Sequence, residues 1–155
     1  MASNQEITRE IIEKVLSLMS ITEASISIED RDGRLYYNLK TPDSNLLIGQ
    51  YGQNLKSLQH IVRILVRRKL GQEAAEAPDF SLDVEGYRRE REEFLEALAR
   101  KAASRVRDTK QMLILKPMGS ADRKIIHSFL SAEADLTTES VGEEPERKIV
   151  IKLKA

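Results

Sequence analysis

Apolar residues recur at helical spacing at Ile7, Ile11, Ile12, Val15, Leu16 and Met19, with Glu6, Arg9, Glu10, Glu13 and Lys14 between them. This pattern predicts an amphipathic first helix. The period then falls to two: Ala24, Ile26 and Ile28 alternate with polar residues, and after Asp32-Gly33 so do Leu35, Tyr37 and Leu39. Two alternating runs around an Asp-Gly predict a β-hairpin. Thr41-Pro42-Asp43-Ser44 breaks the strand, and Asn45 to Ile48 has room for one helical turn before Gly49-Gln50-Tyr51-Gly52. A longer helix is expected to Leu70, closed by Gly71. The small polar stretch GQEAAEAP then crosses to a third strand at Phe80, Leu82 and Val84.

Beyond Gly86 the helical period returns and runs to about Arg107, with Phe94, Leu95, Leu98, Ala102 and Val106 as the expected buried stripe. Glu96 and Arg100 stand at i, i+4, a spacing that allows an ion pair. A strand (Met112 to Leu115), a Pro117/Gly119 break, a short helix (Ala121 to Ala132) and a closing hairpin (Leu136 to Ser140 with Lys148 to Leu153) complete the chain. Gly142 and Pro145 supply the last turn. The resulting class is α+β, in two small domains, 1–85 and 86–155.

Composition narrows the function. The 155 residues include 25 Lys plus Arg and 25 Asp plus Glu, a formal net charge of zero, so no global attraction to polyanions exists. Any nucleic-acid site must come from local asymmetry. With no Cys there is no disulfide, thiolate nucleophile or thiolate metal site. The opening segment carries charges every few residues and is not a signal peptide; a cytoplasmic location is expected. His60 and His127 are the only histidines, and no P-loop, HExxH or GxSxG pattern appears. Asp122, Glu143 and Glu144 offer a weak case for Mg2+-dependent phosphodiester cleavage, outweighed by their turn-like setting. No enzyme activity, cofactor, metal or small-molecule substrate is expected.

Between Asn45 and Gln72 there is no acidic residue, whereas Lys56, Arg63, Arg67, Arg68 and Lys69 fall inside. On a helix Lys56, His60, Arg63 and Arg67 share one stripe, while Leu55, Leu58, Val62 and Leu65 lie on another. Gly49 and Gly52 stand at the helix entrance, where free N–H groups favour an anion and a missing Cβ allows close approach. The plain alternative is a glycine turn beside a solvated helix. The segment LLIGQYGQNLKSLQHIVRILV, within this order of elements, resembles a KH domain of the type II arrangement, α-β-β-α-α-β. That resemblance implies a GxxG clamp on nucleic-acid backbone made by Gly49, Gln50, Tyr51 and Gly52, with Ile48 on the adjoining apolar groove and Lys56, Arg63 and Arg67 nearby. Many KH loops carry a basic residue between the glycines; here Gln50 and Tyr51 bring no charge.

Arg123 and His127, four residues apart, border an apolar face of Ile125, Ile126, Phe129 and Leu130. Together they suit a phosphate grip, with His127 also able to stack on a base; a boundary histidine with a structural partner is the alternative. DRKIIHSFL followed by LTTESVGEEPERKIVI resembles the Arg-x-x-x-His domain, which binds single-stranded nucleic acid through a small antiparallel sheet backed by helices. The resemblance includes Thr138, Ser140 and Gly142 and places Arg123 and His127 at the motif positions. Lys116, Lys124 and Arg147 follow as further contacts, with Arg105, Arg107 and Lys110 as looser ones.

A KH domain followed by this second domain is similar to the Jag family of bacteria, also called SpoIIIJ-associated proteins. That resemblance implies a regulatory protein binding single-stranded RNA, with DNA as the other ligand. Family members often carry an additional N-terminal domain, whereas these 155 residues open on the KH helix. The competing expectation is a protein-interaction scaffold, with another small KH protein or membrane-insertion machinery of the cell envelope as partner.

Overall fold

The computed structural model describes residues 3–71 and 78–155; most of the expected crossing GQEAAEAP lies outside them. The chain gathers into two compact units, Met1–Arg88 and Arg89–Ala155, which divide inside the first turn of the long helix. Both units mix helices with a three-stranded sheet.

Unit 1 begins with α1 (Asn4–Leu18). Ser3 accepts a hydrogen bond from the Glu6 N–H and the Glu6 carboxylate accepts one from the Ser3 N–H, a reciprocal cap that satisfies two free amides. Met19, expected on the apolar face, is instead the exposed C-cap. The hairpin β1 (Ser25–Arg31) and β2 (Arg34–Lys40) forms at the Asp-Gly. Asp32 and Gly33 both take positive φ, and the Gly33 N–H donates to Asp30, the geometry a tight two-residue turn demands. After α2 (Ser44–Ile48) and α3 (Gln53–Leu70), β3 (Phe80–Val84) adds parallel to β2, giving the order β1-β2-β3.

The period-two pattern puts Tyr37, Leu39, Phe80, Leu82 and Val84 on one face, where they meet Ile11, Ile12 and Leu16 of α1 and Leu55, Leu58, Val62 and Val66 of α3. Leu65, expected in that row, is 37% exposed; after Val62 the packed position is Val66, one residue further on. Tyr37 and Phe80 meet edge to face at 5.7 Å, and the Tyr37 hydroxyl donates to the Gln5 carbonyl.

Unit 2 is built on α4 (Tyr87–Thr109), whose first two residues belong to unit 1. It continues through β4 (Leu113–Ile114), α5 (Ser120–Leu130), β5 (Leu136–Val141) and β6 (Lys148–Leu153). The sheet order is β4-β6-β5, antiparallel throughout. The buried face of α4 is Leu95, Ala99, Ala102, Ala103 and Val106, the alanines allowing close helix approach. Phe94, expected inside, is 57% exposed with Arg91 over its ring; Arg100, expected to pair with Glu96, lies over Phe129. At the end of α4 Arg107 bonds Asp135 twice and Glu133 once, at 2.6–2.7 Å.

Two outcomes follow from these packings. Burial pushes the Tyr37 phenol above its ordinary value of 10.0, so the neutral form is the one the fold holds; that stability is present below 10 and is lost as pH rises through the raised value. Tyr37→Phe should cost about 0.5–1.5 kcal/mol at neutral pH and reduce the alkaline loss, measured by denaturant titration near neutral pH and again above the ordinary phenol range. In unit 2 the hydrogen bond from Arg107 holds the Asp135 carboxyl down at about 2, against an ordinary 3.8. The pairing therefore stabilises above 3.8 and is lost as pH falls through about 2. Carboxyl NMR titration should place Asp135 back near its ordinary value in Arg107→Gln; an unchanged midpoint would remove Arg107 as the cause.

Candidate nucleic-acid interface

The segment Gly49 to Gly52 joins α2 to α3 through one 3-10 turn (Gln50–Gly52). Gly49, Tyr51 and Gly52 all have positive φ, at 67°, 53° and 77°. Only glycine takes such a backbone freely, so Tyr51 is held in a conformation its side chain disfavours. Both glycines are also required by close approach. A Cβ on Gly49 would overlap the Asn54 side chain, whose amide donates to the Leu46 carbonyl at 2.8 Å. A Cβ on Gly52 would lie 2.7 Å from the Tyr87 ring. The expectation that the missing Cβ serves approach of a ligand is corrected here: the space is occupied by the protein's own Asn54 and Tyr87.

What the loop does present is the start of α3. Gly52 is its N-cap and has no side chain to bond the first amides, the Gln53 N–H donates to the Gln50 carbonyl, and no acid stands in the first turn, unlike α1, whose cap is a side chain. Helix N-termini of this kind attract anions. Gln50 and Tyr51 are exposed beside it, and so is Lys56. Ile48, expected to line an apolar groove, packs against the core, and Leu46 is the exposed apolar residue next to the loop.

The basic stripe is only partly available. Lys56, His60 and Arg67 are exposed. Arg63 is half-buried, donating to the Phe80 carbonyl at 2.8 Å and pairing with Asp79 at 3.4 Å, so it serves the entry to β3. Lys69 pairs with Glu10 at 3.2 Å. The acid-free segment is thus neutralised in part by acids from elsewhere in the chain.

In unit 2 the structure separates the two motif residues. His127 is exposed on α5, its Nδ1 bonded to the Thr138 hydroxyl on β5. Arg123 is buried, with Nη1 donating to the Met118 carbonyl at 2.6 Å and Nη2 to Glu144 at 2.9 Å. In this state Arg123 has no open face toward solvent, and the expected joint grip of Arg123 and His127 on one phosphate is corrected accordingly. The Met118 N–H donates to the Arg147 carbonyl, so Arg147 and Arg123 flank the same residue. Lys116 is exposed two residues before it. Lys124 is exposed above a shallow hollow lined also by Glu92, Glu96, Ile125, Ser128 and Phe129. Arg107, a looser candidate, is bonded to Glu133 and Asp135.

Asp122 is buried against Arg91 at 2.7 Å, and Glu144 is engaged with Arg123, so two of the three acids considered for Mg2+ are committed to ion pairs. Among the described residues no group of three or more His, Cys, Asp or Glu is placed to hold a metal. The residues missed by sequence reasoning are Asn54, Tyr87 and Gln59. Gln59 accepts the Leu82 N–H and an Arg88 donor, tying α3 to the start of α4. Gln59 and Tyr87 act on partners distant along the chain, which local sequence does not mark, whereas Asn54 acts on Leu46 and Gly49 within its own loop.

The Arg-x-x-x-His domain family matches residues 93–153. A protein of Clostridium symbiosum called RNA-binding protein KhpB is 36% identical over 146 residues, covering 94% of this chain and 64% of that one. The protein of the same name from Bacillus subtilis is 35% identical over 143 residues, covering 88% and 67%. That of Lactiplantibacillus plantarum is 28% identical over 155 residues, covering 99% and 47%. The chain therefore spans about two thirds of the first two relatives and about half of the third. On these matches the chain belongs to the KhpB family, with an Arg-x-x-x-His domain in its second unit.

Proposed function

We propose that the chain binds single-stranded RNA, as a regulatory protein of the cytoplasm and not as an enzyme, through separate contacts on its two units. The observation that carries this reading is the acid-free N-terminus of α3, without a side-chain cap, behind the left-handed Gly49 to Gly52 loop, with Lys56 exposed one turn in. The order α1-β1-β2-α2-α3-β3 supports reading unit 1 as a type II KH domain with that loop as its backbone clamp. On unit 2, His127 supplies the contact, with Lys116, Lys124 and Arg147 as further contacts on the same unit. Gln50 and Tyr51 bring hydrogen bonding and stacking to the loop, while Lys56, His60 and Arg67 bring charge. The names of the relatives, which call them RNA-binding, point the same way.

A second reading, a protein-interaction scaffold, is favoured by Ile61, Ile64 and Leu65, which expose an apolar strip on α3. Co-purification of protein partners that survives complete nuclease digestion would favour it; loss of every partner on digestion would exclude it.

Exposed cations spread over the surface, with none gathered in a base-reading cluster, make binding electrostatic and weakly selective. For single strands log K falls by about 0.7 per neutralised phosphate per decade of salt, so the intact chain should show a slope of roughly −2 to −4; a flat response in filter binding would overturn the electrostatic reading. Replacing Gln50 and Tyr51 together by Asp should repel phosphate from α3 and leave the fold intact, since both side chains are exposed and Asp tolerates positive φ. A folded double variant with unchanged RNA affinity would remove the loop from the site.

A further inference from the structure

The Arg123 side chain is 8% exposed, whereas the Glu144 side chain bonded to it is 54% exposed. The buried guanidinium is therefore reached from outside by a carboxylate on the β5–β6 loop. That loop begins at Gly142, with φ of 89°, and also carries exposed Glu143 and Glu146. A guanidinium withdrawn from water needs an anion beside it, and here the anion is the one partner that remains open to solvent. Nε of Arg123, like that of Arg147, is buried with no hydrogen-bond partner. Glu144 bonds Nη2 of Arg123 but leaves Nε idle.

We propose that Glu144 holds the place of a nucleic-acid phosphate on Arg123 in the free protein, and that RNA binding to unit 2 displaces it. This rests on the proposed RNA-binding function and adds a built-in competitor to it. A phosphodiester has the same charge as the carboxylate and two free oxygens set wider apart, suited to bridging Nη2 and the idle Nε of a guanidinium fork. Leaving with Glu144, the loop also takes Glu143 and Glu146 away from the incoming strand, which relieves repulsion between like charges. Lys116 and His127, both exposed, are the further contacts this reading assigns to the same strand. The motif arginine is then a phosphate ligand kept in reserve, and the acidic loop sets the threshold at which it engages.

The competitor has a measurable signature in salt. In the wild-type chain Arg123 exchanges one bonded anion for another, so the protein gives up no solution anion there, while the RNA still sheds the cations condensed on its phosphate. In Glu144→Gln the buried guanidinium recruits a small anion from solution, which the phosphate expels. Glu144→Gln in the intact chain should therefore bind a single-stranded RNA oligonucleotide several-fold more tightly at low salt, with a steeper log–log slope, because the anion given up by Arg123 adds to the cations released from the RNA. Glu143→Gln removes the same charge from a neighbour with no bond to Arg123, and should change affinity little. Unchanged or weaker binding by a folded Glu144→Gln, or an equal gain in Glu143→Gln, would overturn the displacement; the second result would assign the gain to bulk charge. A thermal melt of each variant identifies a merely structural brace, which would lower stability without steepening the slope. The parent reading is tested apart by His127→Ala and Lys116→Ala. If neither weakens RNA binding, unit 2 is not an RNA site and the displacement falls with it; if both weaken it while Glu144→Gln changes nothing, only the displacement falls.

Discussion

A guanidinium taken out of water must be given a partner, because the desolvation of an unpaired charge exceeds what any nearby packing returns. Much of this molecule is arranged around that requirement. Arg91 reaches the buried Asp122, Arg123 reaches Met118 and Glu144, Arg107 reaches Glu133 and Asp135, and Arg63 reaches Asp79 and the Phe80 carbonyl. Most of these tie elements distant in sequence, and each removes a cation from the surface available to phosphate. Around the two candidate contacts the exposed cations include Lys56, Lys116 and Lys124, with His60, His127, Arg67 and Arg68. An ammonium acts as a point charge with little directional demand, unlike the planar fork of arginine, so these surfaces favour backbone over base.

The loop at the head of α3 depends on a different constraint, one of backbone shape. Gly49, Tyr51 and Gly52 turn left-handed within four residues, and the conformation persists because Asn54 fills the space beside Gly49 while Tyr87 fills that beside Gly52. The cost at Tyr51, of order 1–3 kcal/mol for a non-glycine residue, is met by surrounding packing. The result is a set of amides fixed in direction before any ligand arrives, which spares the ordering entropy that a loose loop would lose on binding.

Elements with a strong period were legible in the sequence because the period is itself a record of burial. The alternation at Tyr37 and Leu39, the Asp-Gly turn and the spacing of Leu55, Leu58 and Val62 each specify a face. Finer placement was not. Val66 and Leu65 sit on either side of the same stripe, as do Leu95 and Phe94, and the sheet, not the sequence period, selects between neighbours. The fates of Arg63 and Arg123 were hidden for a stronger reason. Their partners lie 16 and 21 positions away, and a basic residue at the edge of an apolar stripe has the same pattern whether it is solvated or paired inward. The candidate site was therefore legible in its loop and its histidine, and illegible in which cations remain free.

The zero net charge of the chain and its proposed affinity for a polyanion are compatible because charge acts locally. At physiological salt the screening length is about 8 Å, so a strand lying along α3 responds to Lys56, His60 and Arg67 and hardly to acids elsewhere. Pairing trims that patch further, since Glu10 and Asp79 reach Lys69 and Arg63 from outside the acid-free segment. A patch so small binds weakly by itself. Two weak contacts on one chain behave differently when a single strand engages both, because the first contact raises the effective concentration of the strand at the second. Affinity then depends on strand length more than on any one residue, and a carboxylate that withholds one arginine from one contact changes the whole by a factor that linkage multiplies.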